Sequence, residues 1–214
     1  MKKKRISVID YDIGNVKSIL RALEKVGAEP VLSREDKEIL SSDAAVFPGV
    51  GAFSVGMENL RRYDLIDTIY RFVETGKPFL GICLGMQILM EESEEFVLTK
   101  GMGLLKGRVV RLIVEKSCDE KIPHVGWNKI EEPEEKRWKG TIFNSIKNPS
   151  SVYFVHSFMA QPSDPADILS TTVYGGNAFC SAVNRGNIYG CQFHPEKSAV
   201  TGLRILDDFV GLIK

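Results

Sequence analysis

The sequence has 214 residues, 43% hydrophobic and 26% charged, a globular balance that excludes a disordered or low-complexity chain. Lysine plus arginine number 28 and aspartate plus glutamate 28, so the formal charge is zero and gives no reason to expect nucleic acid or an anionic membrane as partner. The uncharged stretch Pro78 to Met90 carries Gly81, Gly85 and Gln87 and is too short to span a bilayer.

The opening MKKKRISVID has the basic start of an export signal, but Asp10 and Asp12 break the apolar run that must follow. It is expected to be a solvated lead into a first strand, in a cytoplasmic protein. Arg5 to Asp10 reads as that strand. Gly14 to Gly27 reads as a helix, with Val16, Ile19, Leu20, Leu23 and Val26 at helical spacing and a glycine to end it. Strands follow at Glu29–Leu32 and Ala44–Phe47, the latter closed by Pro48-Gly49. Helices are expected over Phe53–Arg62 and Asp64–Thr75, a fourth strand over Pro78–Ile82, and a helix over Leu84–Glu92. Apolar strands alternating with amphipathic helices predict a parallel sheet covered on both faces.

The second half has a strand rhythm: Val109–Val114, Trp127–Ile130, Val152–Phe158, Ile168–Val173, Ala178–Val183 and Ile188–Phe193. Gly175-Gly176-Asn177 and Arg185-Gly186-Asn187 are turn signals, so the last three should be hairpin-linked and the sheet mixed. Thr201–Ile213 closes the chain as a helix. The polar stretch Glu131–Lys139 is expected to be a solvated excursion rather than a domain boundary. The fold class is therefore α/β, an open, mixed, largely parallel central sheet flanked by helices, in one domain over 1–214.

Ligands in such sheets bind beyond the carboxyl ends of the strands. One of those ends carries Gly81-Ile82-Cys83-Leu84-Gly85, the form of a nucleophile elbow with cysteine in the nucleophile's place. The turn strains the nucleophile's backbone and needs small neighbours; the helix start favours the thiolate; the Leu84 N–H faces the place of an oxyanion. Taken alone, the pattern also fits a buried structural cysteine. A cysteine nucleophile needs a base. Of His124, His156 and His194, the last sits in Gln192-Phe193-His194-Pro195-Glu196, where Glu196 is placed to orient and charge-stabilise the imidazole. Pro48-Gly49-Val50-Gly51 follows another strand, and its glycines permit a backbone flip that aims a second N–H into the site. It lacks the spacing and lysine of a phosphate loop. The histidines and the cysteines Cys83, Cys118, Cys180 and Cys191 show no metal-ligand spacing, so no metal and no cofactor is expected, and the cysteines should be free thiols.

Together these elements resemble the class I, triad-type glutamine amidotransferases, with Cys83, His194 and Glu196 in that family's order. Within it, PGVGAF at 48–53, GICLGMQ at 81–87, PHVGWN at 123–128, YFVHSF at 153–158 and QFHPEKS at 192–198 are similar to the glutaminase subunits of imidazole glycerol phosphate synthase. The resemblance implies hydrolysis of L-glutamine by the Cys83 thiolate, with His194 and Glu196 as base and orienter. It implies Val50, Gly51 and Leu84 at the oxyanion, Gln87 as a substrate holder, and backbone at Ser157 and Phe158 against the substrate's amino-acid end. It further implies a heterodimer with a β/α-barrel cyclase that consumes the ammonia, with Asn15, Trp127, Asn128 and Lys197 near the docking face. Core packing is the alternative for Trp127. His156 should lie in the strand beside the glutamine pocket, and His124 should be structural or near the interface.

Two positions depart from the subfamily. Asp12 stands where the histidine-pathway subunits usually have glycine, and Phe158 where tyrosine is frequent. The Asp12 form resembles paralogues that supply ammonia for amidinated surface sugars. A cysteine hydrolase of the same architecture and an inactive, partner-binding subunit are the other functional classes; Gln87 beside His-Pro-Glu speaks against the first and the complete Cys-His-Glu set against the second.

Overall fold

A computed structural model describes residues 3–214. Met1 and Lys2, the first part of the expected basic lead, lie outside the described residues. The chain runs β1 (Arg5–Ile9), α1 (Val16–Lys25), β2 (Glu29–Ser33), α2 (Asp36–Ser41), β3 (Ala44–Gly49), α3 (Phe53–Arg62), α4 (Leu65–Glu74), β4 (Phe79–Cys83) and α5 (Leu84–Ile88). It continues through β5 (Glu92–Ser93), β6 (Thr99–Lys100), β7 (Gly107–Arg111), β8 (His124–Ile130), β9 (Ser150–His156), β10 (Phe158–Pro162), β11 (Ile168–Tyr174), β12 (Asn177–Arg185), β13 (Ile188–Cys191) and α6 (Ala199–Gly211).

The main sheet has seven strands in the order β11-β12-β13-β4-β3-β1-β2. Its β13-β4-β3-β1-β2 part is parallel, and β11-β12-β13 is an antiparallel meander through the two glycine turns. The mixed, largely parallel sheet read from the sequence is present. β3 and β4 are buried along their whole length, because alternate residues serve opposite faces. Val46 and Ile82 join Leu23 of α1 and Phe209 of α6 on one side. Phe47 and Phe79 join Leu60 of α3 and Phe72 of α4 on the other.

Several boundaries differ from those the sequence predicts. The helix expected over 84–92 stops at Ile88, because the carbonyls of Ile88, Leu89 and Met90 accept the N–H groups of Met102, Leu105 and Gly103. The chain then enters β5, which with β6, β7 and β10 forms a second sheet not legible in the sequence. The strand expected over 152–158 breaks at Ser157: β9 pairs with β8, β10 with β7, and the Ser157 carbonyl accepts the Leu112 N–H at the change of partner. The 131–139 excursion is not wholly solvated. Trp138 is buried, and its indole N–H donates to the Leu169 carbonyl at 2.9 Å. Helix α2, too short to show a periodic pattern, was not expected. Among the described residues, no helix is long and apolar enough to cross a membrane.

Candidate active site

Sheet order assembles the site. β13, β4 and β3 are neighbours, with Ile82 opposite Cys191 and Cys83 opposite Gly49. The segments after these strands, His194 to Glu196, the Cys83 elbow and Val50-Gly51, therefore emerge side by side.

Cys83 has φ 54° and ψ −110°, a conformation that disfavours any residue with a side chain. The elbow's glycines are required by close approach. A Cβ on Gly85 would stand 1.8 Å from the Phe47 carbonyl oxygen, and one on Gly81 would stand 2.8 Å from the Met86 nitrogen. The elbow thus packs directly on β3. Of the other cysteines, Cys180 and Cys191 are buried, and burial pushes the Cys180 thiol up to about 12 and the Cys191 thiol well above its ordinary range. Those two are poor nucleophiles.

His194 Nδ1 lies 2.8 Å from Glu196 Oε1, and both side chains are almost completely buried. The His194 backbone N–H donates to the Tyr153 carbonyl, and Ser198 Oγ donates to the His194 carbonyl, which fixes the imidazole's base. Burial works against the charged imidazole, but Cys83 and Glu196 outweigh it and raise its pKa to about 10. Among the described residues, His194 Nε2 is buried without a hydrogen-bond partner, and Cys83 is close enough to help raise the imidazole's pKa. Such contacts are often loose without substrate.

In front of Cys83 lies a pocket of about 290 Å³. Val50, Gly51, Leu84, Gln87, Ser157 and Phe158 all line it, together with Glu95, Val155 and His156. Gln87 Nε2 donates to the carbonyl of Phe158 and to Oε1 of Gln192, each at 2.9 Å. Glu95 is the one carboxylate in this lining, and its Oε2 accepts the Phe53 N–H at 2.7 Å. Sequence reading missed it, because the β5–β6 loop that carries it has no periodic signal.

Asn15, Trp127, Asn128 and Lys197 are not part of this pocket. Asn15 and Lys197 are exposed, and Asn128 is half-buried with its amide on the Val173 carbonyl. Trp127 is 56% exposed, so core packing does not explain it. His124 and His156 are opposed across β8 and β9. Asp12 has φ 61°, a left-handed conformation that favours glycine but which aspartate tolerates, and Arg34 and Tyr63 bond its carboxylate. This conformation is one that both glycine and aspartate adopt.

A mixed α/β sheet with a strained cysteine elbow, an adjacent buried His–Glu pair and a small polar pocket is an arrangement that fits an amidotransferase or hydrolase. The chain belongs to the class-I glutamine amidotransferase family, whose model matches residues 7–212. It is 46% identical over 211 residues to the Legionella pneumophila (strain Lens) protein named imidazole glycerol phosphate synthase subunit HisH 1, covering 97% of this chain and 99% of that one. It is 42% identical over 214 residues to the Thermosynechococcus vestitus subunit HisH, covering 100% of both. Among solved structures, PurLQS from Thermotoga maritima contains a chain that shares the fold, with TM-score 0.73, 22% identity and 100% coverage of both chains.

Proposed function

We propose that this chain, acting as one catalytic domain, is a glutaminase that hydrolyses L-glutamine to glutamate and ammonia. The observation that carries this reading is the elbow at Cys83, with the His194–Glu196 pair beside it and the pocket before it. The Cys83 thiolate attacks the side-chain amide carbon. The oxyanion takes hydrogen bonds from the Leu84 N–H and from an N–H of the Val50–Gly51 segment once that peptide rotates; Gly51 has φ 105° and open space around it. His194 protonates the departing ammonia, leaving a thioester on Cys83. It then takes a proton from the water that releases glutamate, while Glu196 holds its ring.

Glutamine carries a cationic amino group and an anionic carboxylate beyond its side chain. Glu95 is the counter-charge in the pocket for the amino group, and backbone at Ser157 and Phe158 receives the amino-acid end. Gln87 borders the same space and holds the Phe158 carbonyl.

The ammonia passes to a β/α-barrel cyclase in a heterodimer that makes imidazole glycerol phosphate, in the histidine pathway. The support is the name shared by the Legionella and Thermosynechococcus relatives, both synthase subunits, at 46% and 42% identity. Asn15, Trp127, Asn128 and Lys197 mark the docking side. Asp12 gives no reason to move the acceptor to a surface sugar, since its conformation is one that glycine also adopts.

The test is glutamate release by this chain mixed with its host's cyclase, with and without the cyclase's nucleotide substrate. Strong stimulation is expected. No stimulation, with Cys83 still labelled by a glutamine analogue, would keep the glutaminase and overturn the acceptor.

A further inference from the structure

A line of hydrogen bonds runs from the strand that carries Trp127 to the sulfur of Cys83. Asn128 Nδ2 lies 3.5 Å from His124 Nε2. His124 Nδ1 lies 3.1 Å from His156 Nε2, and His156 Nδ1 lies 2.9 Å from the Phe158 carbonyl. That carbonyl also accepts from Gln87, Gln87 donates to Gln192, and Gln192 Nε2 lies 3.7 Å from Cys83 Sγ. His124, His156, Gln87 and Gln192 are all buried.

The histidine part of this line has one possible polarity. A carbonyl only accepts, so His156 Nδ1 carries its proton. Burial holds both imidazoles neutral at pH 7, with His156 lowered to about 3 and His124 to about 4. A neutral His156 then has a bare Nε2, which must accept from a protonated His124 Nδ1. The bare Nε2 of His124 in turn accepts from Asn128. The Asn128 amide is itself oriented by its bonds to the Val173 carbonyl and the Lys129 N–H. His124 is stacked between Phe154 and Tyr174, with ring centroids at 4.7 and 3.9 Å.

We infer that His124 and His156 are positioning residues for the glutamine pocket, fixing the Phe158 carbonyl, and through it Gln87, against the strand that carries Asn128 and Trp127. His156 borders the pocket, and its ring bonds go to His124 and the Phe158 carbonyl rather than to Cys83, His194 or Glu196. Their effect is on how well the pocket receives the amino-acid end of its substrate, and the inference rests on the glutaminase reading above. Asparagine at 156 retains a donor where Nδ1 stands; phenylalanine keeps the ring but no donor.

The test uses the full chain and two alkylating probes on Cys83: the diazoketone analogue of glutamine, which needs the pocket, and iodoacetamide, which does not. His156→Phe is expected to weaken the analogue's apparent binding roughly tenfold, the size of one lost buried hydrogen bond, with a smaller change in the iodoacetamide rate. His156→Asn should recover most of that loss, and His124→Phe should give a smaller loss. Parental binding in both His156 variants, or equal losses in both, overturns the inference. Should a variant fail to fold, nitrogen-15 spectra of the parental chain decide: neutral rings protonated at Nδ1 are expected at both positions near pH 7. An imidazolium, or a proton on His156 Nε2, overturns it. A parental chain alkylated by iodoacetamide but never by the analogue overturns the glutaminase reading instead.

Discussion

Cys83 and Gly85 hold opposite ends of one constraint. Cys83 takes its strained conformation because Gly85, two residues on, lies so close to the Phe47 carbonyl that no side chain fits there. The elbow is pressed onto β3, and the thiol projects into the pocket. The strain is borne by the residue proposed as the nucleophile.

Glycine at Cys83 should therefore be better tolerated than alanine, the reverse of the usual order at a helix start. Cys83→Gly is expected to be more stable than Cys83→Ala by about 1 kcal/mol, because only glycine occupies this φ and ψ without strain. Denaturant midpoints would show it. Both variants should release no glutamate above background; parental release from either would refute the mechanism.

Glu196→Gln removes the counter-charge of a buried imidazole. Glutamine hydrolysis should fall on the order of a hundredfold or more, since the ring loses both its orientation and its charge stabilisation. The pH dependence of stability should change with it. Folding raises the His194 pKa from 6.5 to about 10, so this group's stabilisation is complete below pH 6.5 and lost as the pH rises towards 10. In Glu196→Gln the loss of stability between pH 7 and 10 should be shallower. An unchanged slope in thermal unfolding would contradict the pairing.

Tyr11 is fully buried, and among the described residues its hydroxyl has no hydrogen-bond partner. It lies against Gly49, where a Cβ would come within 2.1 Å of it. An unpaired buried hydroxyl is unfavourable, so Tyr11→Phe should stabilise the chain by on the order of 1 kcal/mol. A loss of stability in denaturant titration would mean that the hydroxyl has a partner.

The proposed role of Glu95 is in binding and not in chemistry. Glu95→Gln keeps an acceptor for the Phe53 N–H but loses the charge facing the pocket. KM for glutamine should rise on the order of tenfold to a hundredfold with kcat near the parental value. A fall in kcat at unchanged KM would place Glu95 elsewhere in the cycle.

The sequence by itself determined the parallel strands, the main flanking helices and the elbow. Each is written within a short window: apolar runs at β3 and β4, helical spacing in α1, glycines two residues either side of Cys83, and a carboxylate two residues after His194. Those signals are local and survive without knowledge of neighbours. The tertiary structure alone decided where α5 ends, because its last carbonyls are taken by residues 102–105. It also decided that Glu95 lines the same pocket as Cys83, that Trp138 is buried, and that His124 and His156 share one line of hydrogen bonds. In each of these cases the partner lies in another segment of the chain, and periodicity carries no information about which segments meet.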